Sequence, residues 1–391
     1  MSQTWNQHVV KKENKSLVLQ TVQQHAPISR ANIAQVTGLN KGTVSSLISE
    51  LIDEQLIYES GIGASSGGRR PVMLLPNEKA GFTISIGLEV NHMIAVLTDL
   101  QGDLIAEKKL PFQTKDVDSV LALLFAAIDH LKEQAPPSPY GIVGIGVGVP
   151  GVVTNEGDIL LAPNLKWKQI PLKQLLSERY QLPIIIENEA NAGAYGEKIY
   201  GAGKLANEII YVSAGIGIGV GLILNGKLYK GLRGFSGELG HMTINKDGEQ
   251  CRCGNQGCWE LYASEQALLD QAKEIGFPEA TVNQLVQAAS QGHTDVLHLF
   301  EEIGDYLGVG ITNCIHIFNP EQVIIGNTLQ QAMPFMLPSI HKRIEQNAIG
   351  FNKHDVDLNV AKLADYSTVL GMTAFTIENF FHSTEQALIH P

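Results

Sequence analysis

Three of the chain's four cysteines, Cys251, Cys253 and Cys258, share one run of eighteen residues with His241, and no other feature constrains the fold so tightly. One imidazole and three thiolates fill a tetrahedral shell with nothing left open, which is how structural zinc is held; catalytic zinc keeps a position for water. Gly254 and Gly257 stand between Cys253 and Cys258 and let the backbone fold tightly around an ion. Three ordinary buried thiols are the bland alternative, and a disulfide would need an oxidising compartment. The spacing favours structural zinc on His241, Cys251, Cys253 and Cys258.

A length of 391 residues allows two or three domains, and an apolar fraction of 44% is a globular value. No stretch approaches the roughly 20 apolar residues of a membrane span. The polar opening residues do not read as a signal peptide, so a cytoplasmic protein without a membrane partner is expected. The net charge of −12 argues against nucleic acid until it is divided along the chain. Residues 1–76 carry seven Lys/Arg against five Asp/Glu, a balance of +2, while the remainder is strongly acidic. A small DNA-facing head on an acidic body is the reading this asymmetry suggests.

Residues 29–51 read as helix, turn, helix. Ser29 is a good N-cap, Ile33, Ala34 and Val36 offer an apolar face, and Gly38 stands where a left-handed residue is needed. Asn40 caps a second helix with Val44, Leu47, Ile48 and Leu51 on one side. Lys41, Thr43, Ser45 and Ser46 on its other side suit phosphates and base edges. Leu17, Val18 and Val22 on an earlier helix are expected to complete the core. Two short strands, 56–59 and 72–75, flank a loop ending Gly67-Gly68-Arg69-Arg70-Pro71, which makes a winged helix. Ser29, Arg30, Asn40, Lys41, Thr43, Ser45 and Ser46 are the expected operator contacts, and Arg69 and Arg70 suit a narrow minor groove or the backbone.

The body alternates apolar strands with amphipathic helices, the mark of an α/β fold. Strands are expected at 82–88, 93–99, 141–149 and 183–186, the last feeding Glu187-Asn188-Glu189-Ala190-Asn191; helices are expected at 118–132 and 192–198. A second lobe opens with a strand at 209–213 and glycines at 215, 217, 219 and 221, followed by helices near 264–275, 281–290 and 294–318 and a strand at 323–327. The two hairpin starts, at 82 and 209, suggest one unit used twice. A Gly-x-Gly-x-Gly run is weak evidence for nucleotide binding, and close strand packing accounts for it equally well.

The order of Gly-Val-Pro-Gly, Glu-Asn-Glu-Ala-Asn, a repeated glycine loop, Phe-Ser-Gly-Glu-Leu-Gly-His and Cys-x-Cys-Gly-x-x-Gly-Cys-Trp-Glu resembles the ROK family of repressors, open reading frames and sugar kinases. The winged head and Ser-Ser-Gly-Gly-Arg-Arg-Pro make it look most like the family's xylose-responsive repressors. The resemblance implies a two-lobed, actin-like (ribonuclease H-like, sugar-kinase) body behind the head. The implied divisions are a head at 1–76, a first lobe at 77–200 completed by a C-terminal helix of about 367–391, and a second lobe with the zinc site at 201–366. Matching motifs assigns the sugar to Asn164, Asn188, Glu189, Glu238, His241 and Glu260. His241 would serve twice, one ring nitrogen on zinc and the other on a sugar oxygen.

Three departures from the kinase pattern imply that the chain is not an enzyme. Kinases of the family carry Asp-x-Gly-Gly-Thr where this chain has Gly87-Leu88-Glu89-Val90-Asn91, so a carboxylate stands where phosphate charge would lie. Gly215-Ile216-Gly217 replaces a Gly-Thr-Gly loop. Glu189 takes the place of a catalytic Asp and is one methylene too long for that base. The expectation is a homodimeric repressor that binds operator DNA and is released by a small sugar, D-xylose above all, with a kinase as the alternative.

Overall fold

The computed structural model describes residues 7–62, 71–350 and 356–387. The head contains α1 (Gln7–His25), β1 (Ile28–Ser29), α2 (Arg30–Thr37), α3 (Lys41–Asp53), β2 (Ile57–Ile62) and β3 (Val72–Pro76). Helix α2 starts where Ser29 Oγ accepts the Asn32 N–H and stops at Gly38, whose φ is 71°. Asn40 Oδ1 accepts the Thr43 N–H and so starts α3. Val18, Val22, Ile33, Val44, Leu47, Ile48 and Leu51 fill the space between the helices, and β1, β3 and β2 pair antiparallel beside them. Two expected core residues are on the surface: Leu17 is 40% and Val36 57% exposed. Val18 and Val22, one turn apart, own the inward stripe of α1, and Leu17 lies about 100° round from Val18. Ile33 is the one buried position of the short α2. Arg69 and Arg70 lie outside the described residues.

The first lobe runs β4 (Phe82–Leu88), β5 (His92–Asp99), β6 (Leu104–Pro111), α4 (Val117–Gln134), β7 (Ile142–Val149), β8 (Val152–Val153), β9 (Ile159–Ala162), β10 (Trp167–Ile170), α5 (Leu172–Tyr180), β11 (Ile184–Asn188) and α6 (Glu189–Ile199). The second runs β12 (Ile209–Ala214), β13 (Ile218–Leu224), β14 (Lys227–Leu228), α7 (Glu260–Ala263), α8 (Glu265–Glu274), α9 (Val282–Ser290), α10 (Thr294–Phe318), β15 (Gln322–Gly326), α11 (Met333–Asn347) and β16 (Asp357–Val360). A last helix, α12 (Ser367–Ala387), returns to the first lobe.

The two main sheets have one topology. Their orders are β6-β5-β4-β7-β11 and β14-β13-β12-β15-β16, each an antiparallel meander followed by two parallel strands. The strand period of two explains the glycine spacing in β7. Ile145, Val147 and Val149 enter the first-lobe core with Ile84, Ile86, Val120 and Leu124. Gly144, Gly146 and Gly148 face α12 instead, and a Cβ on each would stand 2.6–2.8 Å from Thr376 or Thr368. The alternation lets α12 lie directly on the sheet.

Helices α6 and α12 cross as closely. A Cβ on Gly371 would meet the Ala192 carbonyl at 1.8 Å, and one on Gly196 would meet the Ser367 carbonyl at 2.1 Å. Glu197, fully buried in α6, clamps the joint. It accepts hydrogen bonds from the backbone N–H groups of Ala202, Lys362 and Leu363 and from the Ser367 hydroxyl. Glu197→Ala orphans the three backbone donors, the Ser367 hydroxyl keeping the Ala364 carbonyl, and should cost on the order of 3 kcal/mol or more. Thermal unfolding followed by circular dichroism checks this, and an unchanged midpoint would refute the clamp.

Candidate functional site

The cysteine run folds as a tight knuckle after a 3-10 turn, Glu238–His241. Gly254 and Gly257 both take positive φ, 95° and 68°, and a Cβ on Gly257 would stand 1.7 Å from the Asn245 carbonyl. The ligand atoms of His241, Cys251, Cys253 and Cys258 lie within 4.8 Å of one another. Cys253 Sγ is 3.7 Å from Cys258 Sγ, and Cys251 Sγ is 3.8 Å from His241 Nδ1. Tetrahedral zinc, with bonds of about 2.3 Å to sulfur and 2.0–2.1 Å to nitrogen, puts such edges at roughly 3.5–3.8 Å. The cluster therefore fits a metal ion. Burial raises the proton affinity of Cys251 and Cys258, a cost that a cation at the centre would reverse. Asn255, which sequence reasoning passed over, donates from its backbone to Cys253 Sγ and from its side chain to Cys258 Sγ and the His241 carbonyl.

One cleft contains all six residues assigned to the sugar. Asn164 comes from the loop between β9 and β10, Asn188 ends β11, Glu189 begins α6, Glu238 and His241 share the 3-10 turn, and Glu260 begins α7. The cavity volume is about 260 Å³. Asn188 is held from behind, its Oδ1 accepting the N–H groups of Ala190 and Asn191 and its amide donating to the Gly151 carbonyl. His241 stands at the join of cleft and cluster: Nδ1 faces Cys251, and Nε2 lies 3.9 Å from Glu238 Oε2. Glu260 Oε1 is 3.3 Å from both His241 Nδ1 and Cys251 Sγ. Gly217, just before β13, and Gly219 within it make room along the wall. A Cβ on Gly217 would meet Glu260 and Asn164, and one on Gly219 would meet Ala190 and Glu189.

The cleft is acidic. Five glutamates line it, Glu89, Glu189, Glu238, Glu260 and Glu265, against one guanidinium, Arg252. Sequence reasoning did not bring Glu265 here. Glu89 is joined to Glu189 by a relay: the Asn327 amide donates to Glu89 and to Ser213 Oγ at 3.0 Å, and Ser213 donates to Glu189 at 3.3 Å. Burial, then the Glu189 charge, raises the Glu89 pKa well above the carboxylate range. The Glu89 N–H is spent on the His92 carbonyl inside the β4–β5 turn. That turn therefore offers an incoming phosphate neither this amide nor a cation.

In the head, Lys41, Ser45 and Ser46 are exposed on α3 and Thr43 is half-buried. Ser29 is buried with its hydroxyl occupied as a cap, and Asn40 caps α3. Arg30 pairs with Glu59 at 3.0 Å and reaches the Ser45 carbonyl at 3.3 Å, which ties α2 to the wing strand and to α3. These three residues serve head geometry directly.

Burial, with the charge of Glu238 adding to it and the Ser213 hydroxyl opposing, raises the Glu189 pKa to about 7. The unfolded carboxyl ionises near 4.5, so between about pH 4.5 and 7 the folded state holds more protons than the unfolded one. Stability therefore falls as pH rises through that window. Glu189→Gln should flatten this fall, read as the difference in melting temperature between pH 5 and 7.5; an unchanged pH dependence would sink the assignment.

The ROK family profile matches residues 83–379, and a winged helix-turn-helix DNA-binding profile matches residues 12–58. The xylose repressor of Bacillus spizizenii is 42% identical over 377 residues, covering 96% of this chain and 97% of that protein. Among solved structures, a ROK family transcriptional regulator described as a homolog of E. coli MLC protein superposes with a TM-score of 0.83 at 28% identity, over 97% of this chain and 99% of that one. A ROK family glucokinase from Streptomyces griseus, in complex with glucose and AMPPNP, superposes at 0.69 and 28% identity over 75% of this chain and 99% of its own. With its winged helix-turn-helix head joined to an actin-like body, this chain belongs to the ROK family.

Proposed function

We propose that the protein is a transcriptional repressor of sugar-utilisation genes whose operator affinity is lowered by D-xylose bound in the inter-lobe cleft. The observation that carries this reading is the convergence of Asn164, Asn188, Glu189, Glu238, His241 and Glu260 on one cavity, in a chain whose α3 exposes Lys41, Ser45 and Ser46. Planar amides and carboxylates suit the hydroxyls of a sugar, because each buried hydroxyl left unpaired costs about 1–3 kcal/mol. The 42% identity to a xylose repressor supports xylose as the effector. The division into a head at 1–76 and lobes at 77–200 and 201–366 belongs to the same reading. Two heads on a homodimer in the cytoplasm would match a palindromic operator.

Zinc is the proposed ion of the cluster. Bound through Nδ1, it would fix the tautomer of His241, whose Nε2–H would then be available to the cleft. Metal analysis should find about one zinc per chain. Cys253→Ser should lose it and weaken xylose binding by roughly 10–100-fold; full zinc content in the variant would exclude Cys253 as a ligand.

The likeness to a glucokinase keeps phosphotransfer in view, and Glu89 argues against it. Xylose-dependent ADP release from ATP would establish the kinase instead. Fluorescence anisotropy on the protein's own upstream promoter DNA, with D-xylose, D-glucose or no sugar, tests the main reading. Release by xylose alone supports it, and tight binding that no sugar disturbs overturns it. Lys41→Ala should weaken operator binding and lower the salt slope by about one. Arg70→Ala should weaken it without changing sugar affinity; operator affinity equal to wild type would remove Arg70 from the contacts.

A further inference from the structure

The head packs a core between its own helices, but the head alone does not close it. Its buried cluster of Val18, Val22, Val44, Leu51 and Leu74 is completed by Leu100 and Val143 of the first lobe and by Ile377 and Phe380 of α12. Polar contacts reinforce the seam: Tyr140 donates its hydroxyl to the Glu54 carbonyl just beyond α3 at 3.0 Å, and its ring packs edge-on against Phe380 at 5.1 Å. Asn77 donates to the Gln55 carbonyl at 2.7 Å. No second-lobe residue belongs to this cluster among the described residues.

The other end of α12 lies against the cleft. Thr368 Oγ1 donates to the Glu189 carbonyl at 3.2 Å, in the first turn of α6. The Thr368 methyl rests on the backbones of Gly87 and Gly148, each one residue from the end of its strand beside the cleft. Helix α6 meets the second lobe on its other side, where a Cβ on Gly221 would stand 2.4 Å from the Ala190 carbonyl. The α6–α12 crossing leaves no room for a methyl group, Glu197 ties it, and Tyr195 stacks on Phe375 at 4.4 Å. From Thr368 to Phe380 is twelve residues, roughly 18 Å of helix. A lobe rotation that displaces α6 must displace α12 as well, because close-packed contacts of this kind do not absorb shifts.

We propose that α12 is the lever by which effector occupancy reaches the head: Thr368 is a positioning residue that follows the α6 N-terminus, and Ile377 and Phe380 pass that movement to the seat of α3. The proposal rests on the reading of the cleft as an effector site. It gives Thr368 no contact with sugar or with DNA. Its loss therefore alters the coupling between two ligands while sparing both binary affinities, which loss of folding or of a direct contact would not do.

The test is a linkage cycle on full-length protein. Xylose affinity is measured by calorimetry without DNA, and operator affinity by anisotropy with and without saturating xylose, for wild type and Thr368→Val. The variant keeps the methyl on Gly87 and Gly148 and replaces the hydroxyl that donates to Glu189 with a second methyl. Expected is a wild-type loss of operator affinity on adding xylose of about 100-fold, within the range of allosteric couplings, falling to about 10-fold or less in Thr368→Val with each binary affinity within about threefold. Hydrogen exchange on wild type adds a readout that needs no variant: xylose should change protection at residues 367–381 and at 44–54. Equal release of the variant and wild type, with exchange changes confined to the cleft walls, overturns the lever alone. A wild type that binds no xylose overturns the effector reading and the lever with it.

Discussion

An imidazole carries its two nitrogens on opposite sides of one rigid ring, and the cleft is organised around where His241 stands. Nδ1 faces the thiols and Nε2 faces Glu238 and the cavity. Anything that fixes the ring on one side fixes the hydrogen-bond direction on the other. The knuckle from Cys251 to Cys258 thus forms part of the cleft wall, and Glu260, in reach of both Nδ1 and Cys251, extends the same continuity. Cleft shape and cluster geometry are one problem for this sequence.

A second constraint is how closely backbone can approach backbone. Glycines at alternate positions of β7 and β13 give up side-chain packing on one face so that a helix can lie against the strand itself. In β7 that helix is α12; in β13 it is α6. The glycine run that resembles a phosphate loop in the sequence is, from Gly217 to Gly221, the seam where the two lobes meet. Both sheets meet the problem alike because they share one topology: each is a three-stranded meander with two parallel strands added.

What was legible in the sequence was local. Ser29, Gly38 and Asn40 announce helix ends because caps and left-handed turns depend on a few neighbouring residues. The His/Cys cluster announces itself because its ligands crowd into one short run. Periodicity misplaced Leu17 and Val36, since it identifies a helix face but not how much of that face a neighbour covers. It also understated α6, which begins at Glu189 and not at Ala192, because the Asn188 side chain caps it. The Glu89–Asn327–Ser213–Glu189 relay was illegible for another reason: its members are far apart in sequence and meet only when the lobes close on each other. Short strands such as β8, β9 and β16 gave no signal, being too brief for a period to register.

The shared core between head and body bears on how such a protein is assembled from parts. A DNA-binding module with a self-sufficient core can be moved between bodies by joining chains at a linker. Here Leu100, Val143, Ile377 and Phe380 come from distant points of the chain to close the head's own interior. Fusing this head to a different body would uncover the side of its core that those four side chains close, unless they travelled with it. The buried interior of the head is therefore discontinuous in sequence, and substitutions near the C-terminus bear on the same packing as substitutions in α3.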